Sequence, residues 1–541
     1  MSSSTPPPSG GPEFLDQTGG EPVGPDTTRS GGGGGARRTA LVAGGAVVGL
    51  GLVGGAAWAA MSFFATGSQP AEALPAGTLG YASVDLDPSG SQKIEALEMI
   101  KKFPSLDKEL GGINADDDLL AKVFAEADCE GLSYDDDVKP WLGYRFAVAA
   151  VDLGDDAPTP VGVLQVSDAG AAEDGLAQLA ACHGEGDAMG WVVEGDWAVV
   201  AETDDLAQQV VDATGDGTLA DDEDFQRWTG EVGDPGVMTM YAAPEAAQAL
   251  AELSDEFSPG TMLGMPMDPM GAEGMESSPE MTQALENFQG MAATVRFSDG
   301  ALEIEGAAAT GSEQTAALST DRGDDVLATL PEDTAAALGF GLGEGWLTTI
   351  VDQAVASSGG EMSAEDLEAQ LQAMAGLSFD DVETAFGESA VLAVGSDIDP
   401  EAIFSSADGS SIPVGAKIQG DAAAIEDVFG KISQSMGPEA GTFLGTDADG
   451  DYVAVGPSPD FRSSLLGDGN LGDSAVYQNV IREGDDASAV FFVNFDANDW
   501  LAGLLEGQQE AQDDVAPLEG LGMTSWVDDG TSHGVLRLTT D

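Results

Sequence analysis

The sequence predicts an α+β protein: two duplicated lobes of mainly antiparallel sheet with packed helices, preceded by one transmembrane helix and a disordered N-terminal tail. Three observations predict this. An uncharged run from Ala40 to Ala65 (ALVAGGAVVGLGLVGGAAWAAMSFFA) follows directly on Arg37 and Arg38. Beyond it, six blocks of sequence recur in the same order. Within each recurrence, short apolar runs bounded by turn residues alternate with stretches of helical spacing, the mark of hairpins mixed with helices.

Residues 1–38 come first. They are rich in Pro, Gly, Ser and Thr and end near the run Gly31 to Gly35. Such a tail buries too little apolar surface to offset its ordering entropy, so a disordered cytoplasmic leader is expected. Residues 39–65 follow as a transmembrane helix, since about 20 apolar residues suffice to cross a bilayer. The flanking arginines keep the N-terminus cytoplasmic and send the rest of the chain outside. A cleaved signal is the rival reading, with Ala57-Trp58-Ala59 as its cleavage site. Met61, Phe63 and Phe64 prolong the apolar run past that site, and Arg37-Arg38 followed by Leu41 is only a faint twin-arginine signal.

The remainder divides into an extracytoplasmic lobe 1 at 66–318 and a lobe 2 at 319–541, because its length exceeds what one core usually supports. The chain has 96 Asp and Glu against 18 Lys and Arg, a net charge of −78. Only four of those acids and three of those bases precede residue 39. Nucleic acid is excluded as a partner by that field, and anionic lipid headgroups are repelled by it. The two cysteines, Cys129 and Cys182, both lie outside the membrane and are expected to pair, stabilising the fold by about 4 kcal/mol in the chain-entropy model.

The duplication is read from residues. Leu74-Pro75-Ala76-Gly77-Thr78 returns as Leu330-Pro331-Glu332-Asp333-Thr334. The blocks 134–152, 160–176, 194–211, 219–228 and 290–310 return as 379–397, 413–429, 449–466, 471–480 and 522–541. Buried strands are expected at 146–151 and 390–394, and hairpin turns at 194–196, 449–451, 298–300 and 528–530. Helical spacing occupies 91–103, 171–182, 204–213 and 244–257, then 345–357, 363–375, 422–435 and 496–505.

The stretches 69–97, 139–154 and 219–246 resemble an actinobacterial group, the domain-of-unknown-function family DUF 3352, over essentially everything from Gln69 onward. That resemblance implies a membrane-anchored envelope protein and brings with it no reaction, ligand or catalytic residue.

Candidate chemistry is sparse. No G-x-S-x-G elbow occurs, and His183 and His533, the only histidines, fall in different lobes. Ser105-Leu106-Asp107-Lys108 matches S-x-x-K, but its partner motifs are absent. Zinc motifs are missing. Asp447-Ala448-Asp449-Gly450-Asp451 looks like the start of a calcium loop but has Ser458 where the closing glutamate belongs, so a hairpin turn is expected. Asp135-Asp136-Asp137 reads as a solvated face. A Met/Pro-rich loop at 258–281 carries Met262, Met265, Met267, Met270, Met275 and Met281, and thioethers suit Cu(I). The first four are the only candidate metal ligands, and a contact surface is the stronger reading for a loop without His or Cys.

The expected function is therefore a non-catalytic binding or scaffolding module of the cell envelope, with no catalytic residue and no cofactor, whose partners are the membrane through its own anchor and an envelope protein or glycan. The alternatives are an extracytoplasmic copper or calcium handling protein and, third, an envelope enzyme of unrecognised type.

Overall fold

The computed structural model describes residues 68–86, 91–109, 120–121, 124, 132–155, 157–183, 189–247, 287–309, 320–343, 345–358, 362–399, 406, 409–437, 443–505 and 507–541. The tail, the Ala40–Ala65 run, Cys129 and the Met-rich stretch 258–281 lie outside the described residues. Among the described residues, no helix is long and apolar enough to cross a membrane.

The first half contributes β1 (Thr78–Asp85), β2 (Leu142–Val151), β3 (Thr159–Val166), β4 (Gly190–Glu194), β5 (Trp197–Ala201), β6 (Met238–Ala242), β7 (Met291–Ser298) and β8 (Ala301–Ala308). The second contributes β9 (Thr334–Gly341), β10 (Ser389–Gly395), β11 (Val414–Gln419), β12 (Gly445–Asp449), β13 (Tyr452–Gly456), β14 (Ala489–Asn494), β15 (Leu518–Asp528) and β16 (Thr531–Thr540). All sixteen form one antiparallel sheet. From a central seam between β8 and β16, the order runs β8-β7-β6-β1-β2-β3-β5-β4 one way and β16-β15-β14-β9-β10-β11-β13-β12 the other. Each strand thus has a counterpart in the other half, and the expected pair of lobes shares a single sheet.

The correspondence extends to single bonds. Thr78 and Thr334 open the first strand of each half. Each donates from its backbone N–H (3.1 Å) and its hydroxyl (2.7 Å) to the carbonyl of Pro75 or Pro331. The carbonyls of the buried Leu74 and Leu330 accept from Leu219 (2.8 Å) and Leu471 (2.9 Å). Both β1–β2 and β9–β10 carry a register shift at the same place, Thr78/Gly80 against Val394/Gly395. Beyond it, Tyr81 opposes Ala149 as Ala337 opposes Ala393. Ala149 therefore answers Ala393, one place short of the ungapped block. That shift matters, because a slip of one would turn every side chain to the wrong face.

Turn chemistry sets the rest. Gly195 and Gly450 both take φ 60°, and the Asp-Gly pairs at 299–300 and 529–530 have positive φ at both residues, as tight two-residue hairpins require. These turns align Met291 with Leu521, two places from the match suggested by the Gly-Met pairs at 290–291 and 522–523.

In the first half the helices are α1 (Ser91–Lys102), α2 (Pro104–Glu109), α3 (Ala169–His183), α4 (Asp204–Ala213) and α5 (Glu223–Glu231). In the second they are α6 (Trp346–Ser357), α7 (Ala364–Ala375), α8 (Phe379–Phe386), α9 (Ala422–Met436), α10 (Pro459–Leu465), α11 (Ala475–Val480), α12 (Trp500–Leu504) and α13 (Gln509–Val515). Seven of the expected helical stretches have a helix at or near their place. The stretch 496–505 is broken at Asn498 and Asp499, both at positive φ, and 244–257 falls mostly outside the described residues.

Equivalent helices start from equivalent caps. The Thr203 and Ser458 hydroxyls accept from Leu206 (3.2 Å) and Phe461 (3.3 Å), closing the first turns of α4 and α10. On one face of the sheet, α4 and α5 cover a core around Trp228 and Val199, while α10 and α11 cover one around Phe492 and Val391. On the other face, α1 and α3 pack on Phe297 and Trp141, and α9 packs on Ile418. With helices on both faces, strands such as β2 (LGYRFAVAAV) are apolar nearly throughout instead of alternating.

Candidate functional site

A cluster of buried charges lies at the seam. Arg296 on β7, Glu303 on β8 and Arg537 on β16 stand opposite one another in register. Glu303 bridges the two guanidiniums, and Arg296 also pairs with Glu305. Arg537 donates to the Asn479 carbonyl of α11 (3.0 Å), and Arg296 donates to the carbonyls of Val232 (2.9 Å) and Asp234 (3.0 Å). Burial pulls the Arg537 guanidinium below its ordinary range. For Arg296 desolvation acts the same way but is outweighed by Glu305 and Glu303, which raise it. Each guanidinium nitrogen of the two arginines donates to a carboxylate or a carbonyl, so the row works as a lock between the halves.

The counterpart row differs in chemistry. Counting from the matching Asp-Gly turns, Arg296, Glu303 and Arg537 correspond to Trp526, His533 and Ala307, and these again align across β15, β16 and β8. His533 stacks on Trp526, with ring centroids 5.1 Å apart and planes 9° off parallel. Its Nε2 lies 3.8 Å from the Glu231 carboxylate at the end of α5.

The residues singled out in the sequence scatter. Ser105 lies in the first turn of α2 and is held by Asp514 of α13, through its backbone N–H (3.0 Å) and its hydroxyl (2.6 Å). It therefore tethers the two halves. Asp447 pairs with Arg462 (2.8 Å), and Asp449-Gly450-Asp451 is the β12–β13 turn. Asp137 accepts from the Ser133 N–H, and Asp135 pairs with Lys139 at 3.5 Å. His183 ends α3, far along the chain from His533. Cys182 is disulfide-bonded, while Cys129 and Met262, Met265, Met267 and Met270 lie outside the described residues. Among the described residues, no group of three or more His, Cys, Asp or Glu could hold a metal ion.

Two features were missed in the sequence. Lys417 is buried on β11; its ammonium donates to the Thr329 hydroxyl (2.9 Å) and lies 4.9 Å from the centre of the Tyr452 ring. Desolvation lowers its pKa. Nearby, a shallow cleft of about 520 Å³ opens between Pro331, Glu332 and Asp333 on one side and Ser464, Asp468 and Asn470 on the other. Asn470 donates to Glu332 across it (2.7 Å).

The second feature is an apolar row. Ile304, Leu536, Met523, Phe491, Leu338 and Leu392 oppose one another in sequence across β8, β16, β15, β14, β9 and β10. Five of the six are exposed, from 37 % for Phe491 and Ile304 to 53 % for Leu392. The same row continues into the first half as Val295, Met238 and Val84, but there Val295 is 8 % exposed beneath Ala96 and Met99 of α1. Large apolar side chains in consecutive strands gave a sequence signal of burial, and the structure leaves them open.

These features define a class: an α+β protein whose halves, of like strand order, share one antiparallel sheet. Residues 42–188 match the model of the family described as protein of unknown function (DUF3352), which supports the resemblance read from the sequence. No curated protein and no solved structure matches it.

Proposed function

We propose that the chain is a single-pass membrane protein, with its N-terminus cytoplasmic, whose extracytoplasmic part is a non-catalytic binding or scaffolding module of the cell envelope built from one duplicated unit. The observation that carries the binding reading is the open apolar row. Contiguous exposed apolar strips on an otherwise charged surface mark interaction sites, and here five large side chains remain uncovered in a chain of net charge −78. The anchor reading rests on Arg37-Arg38 and the apolar run behind them. The duplication reading rests on the matched strand order, bulges, turns and caps.

Two experiments test it. Protease added to intact cells should degrade the chain beyond residue 66 and spare an N-terminal epitope; protection of the large part contradicts the topology. Affinity capture of the tagged full chain from its own envelope should retain a specific protein or glycan. Turnover of a wall-derived substrate, abolished by one carboxylate substitution, overturns the non-enzyme reading. The six methionines within 258–281 favour copper handling as a second reading; it predicts copurified copper that is lost when Met262, Met265, Met267 and Met270 are changed to Leu.

A further inference from the structure

The open row has a definite size and electrostatic setting. Six adjacent strands spaced about 4.8 Å apart give it a length of about 24 Å. Its exposed area, on the order of 400 Å², falls short of the roughly 800 Å² per partner that a stable globular interface uses. A short segment fits it better than a second folded surface. A second copy is disfavoured further, because each chain brings a charge of −78.

About 15 Å along the strands from Phe491, Met523 and Leu536, the ends of β14, β15 and β16 bring together Asp496, Asp499, Glu519 and Asp541. The Asp496 carboxyl is raised above the ordinary aspartate range by partial desolvation and then by the other three. The backbone fixes this arrangement: Phe495 donates to the Glu519 carbonyl and Asp541 to the Pro517 carbonyl, both at 3.0 Å. An apolar strip thus has a carboxylate cluster along one side.

We propose that this face docks a short amphipathic cationic segment of a protein partner, its apolar side on the row from Ile304 to Leu392 and its lysines or arginines toward Asp496, Asp499, Glu519 and Asp541. Apolar contact supplies the affinity, and the carboxylates set orientation and select against acidic segments. The inference rests on the reading of the protein as a binding module and names the surface and the partner's chemistry.

The test uses the full chain in nanodiscs of neutral lipid and three fluorescein-labelled twelve-residue peptides, composed of Leu and Lys, Leu and Glu, or Ser and Lys. The Leu/Lys peptide should bind saturably and at least tenfold more tightly than the other two. Leu338→Glu with Phe491→Glu, at exposed positions, should weaken it at least tenfold while leaving the melting temperature near that of the parent. Asp496→Asn with Glu519→Gln should weaken it severalfold and flatten its salt dependence. Equal binding of the Leu/Lys and Ser/Lys peptides, or binding unchanged by Leu338→Glu/Phe491→Glu, overturns the proposal. Envelope capture that survives Leu338→Glu/Phe491→Glu also overturns this surface while leaving the binding-module reading intact. A failed anchor topology leaves the peptide result untouched.

Discussion

The two halves of the sheet share every strand position, the bulge that opens β1–β2 and β9–β10, and the Asp-Gly turns at 299–300 and 529–530, yet almost none of their buried charges. In the first half, Asp85 and Arg145 form an ion pair with both side chains 5 % exposed, and Arg145 also donates to the Ser68 carbonyl (2.5 Å). By register, their counterparts are Gly341 and Ser389, and the Ser389 hydroxyl donates to the Arg322 carbonyl (2.8 Å). The seam repeats the contrast, with Arg296, Glu303 and Arg537 against Trp526, His533 and Ala307. What the halves hold in common is therefore sufficient for the topology, and the ion pairs are additions to it. A buried charge needs its partner once present, but the fold does not need the charge.

The comparison breaks most sharply at Glu303. Glu303→Leu leaves the Arg537 guanidinium buried without its carboxylate and Arg296 with Glu305 alone, and should cost about 3–5 kcal/mol, read by denaturant unfolding. Replacing Arg296 and Arg537 with Met in the same chain should recover most of that loss. Next, Arg145→Ser alone takes the guanidinium away from the buried Asp85 carboxylate and should cost about 3 kcal/mol. Adding Asp85→Gly, which installs the residues of the second half, should make the double variant more stable than the single one. A double variant as unstable as the sum of the two would show that the first half depends on its ion pair.

A smaller effect belongs to the capping boxes at Ser363 and Ser378 of the second half. The Ser378 hydroxyl accepts from the Asp381 N–H (3.2 Å), and Ser378→Ala should cost about 1 kcal/mol. The smallest concerns Asp381, whose carboxyl is held down to about 2, first by Lys431 and then by the Ser378 N–H. Its folded value lies below its unfolded one, so its contribution is full above the ordinary aspartate value and is lost as pH falls toward 2. Lys431→Ala should slightly reduce stability at neutral pH and lessen the acid-induced loss, since this exposed pair is well screened.

Much of this was legible in the sequence because it is local. The β12–β13 and β15–β16 turns show in Asp-Gly dipeptides, and α1, α3, α4, α6, α7 and α9 in their spacing. The short helices α5, α8, α10 and α11 were missed for want of length, although Asp222, Ser378, Ser458 and Ser474 each cap one. The pairing of β8 with β16 joins residues more than 200 apart, and no local pattern encodes it. One signal was present: Arg296, Glu303, Glu305 and Arg537 interrupt strands that are otherwise apolar or small. Charges at such positions need opposite charges across the strand, and they point to a neighbour of complementary sign. The open row was illegible for the converse reason, since Leu338 and Phe491 sit in apolar strands like any core residue and only the placement of the helices uncovers them.

The central claim is that the halves are one sheet joined through β8 and β16. Amide hydrogen exchange of the full chain, resolved over 301–308 and 531–540, tests it most directly. In the sheet described, Glu303 and Leu536 lie on interior strands, so both segments should exchange as slowly as β2 and β10. Fast exchange of 301–308 and 531–540, like that of the edge strand β12, would contradict a shared sheet and leave two separate lobes.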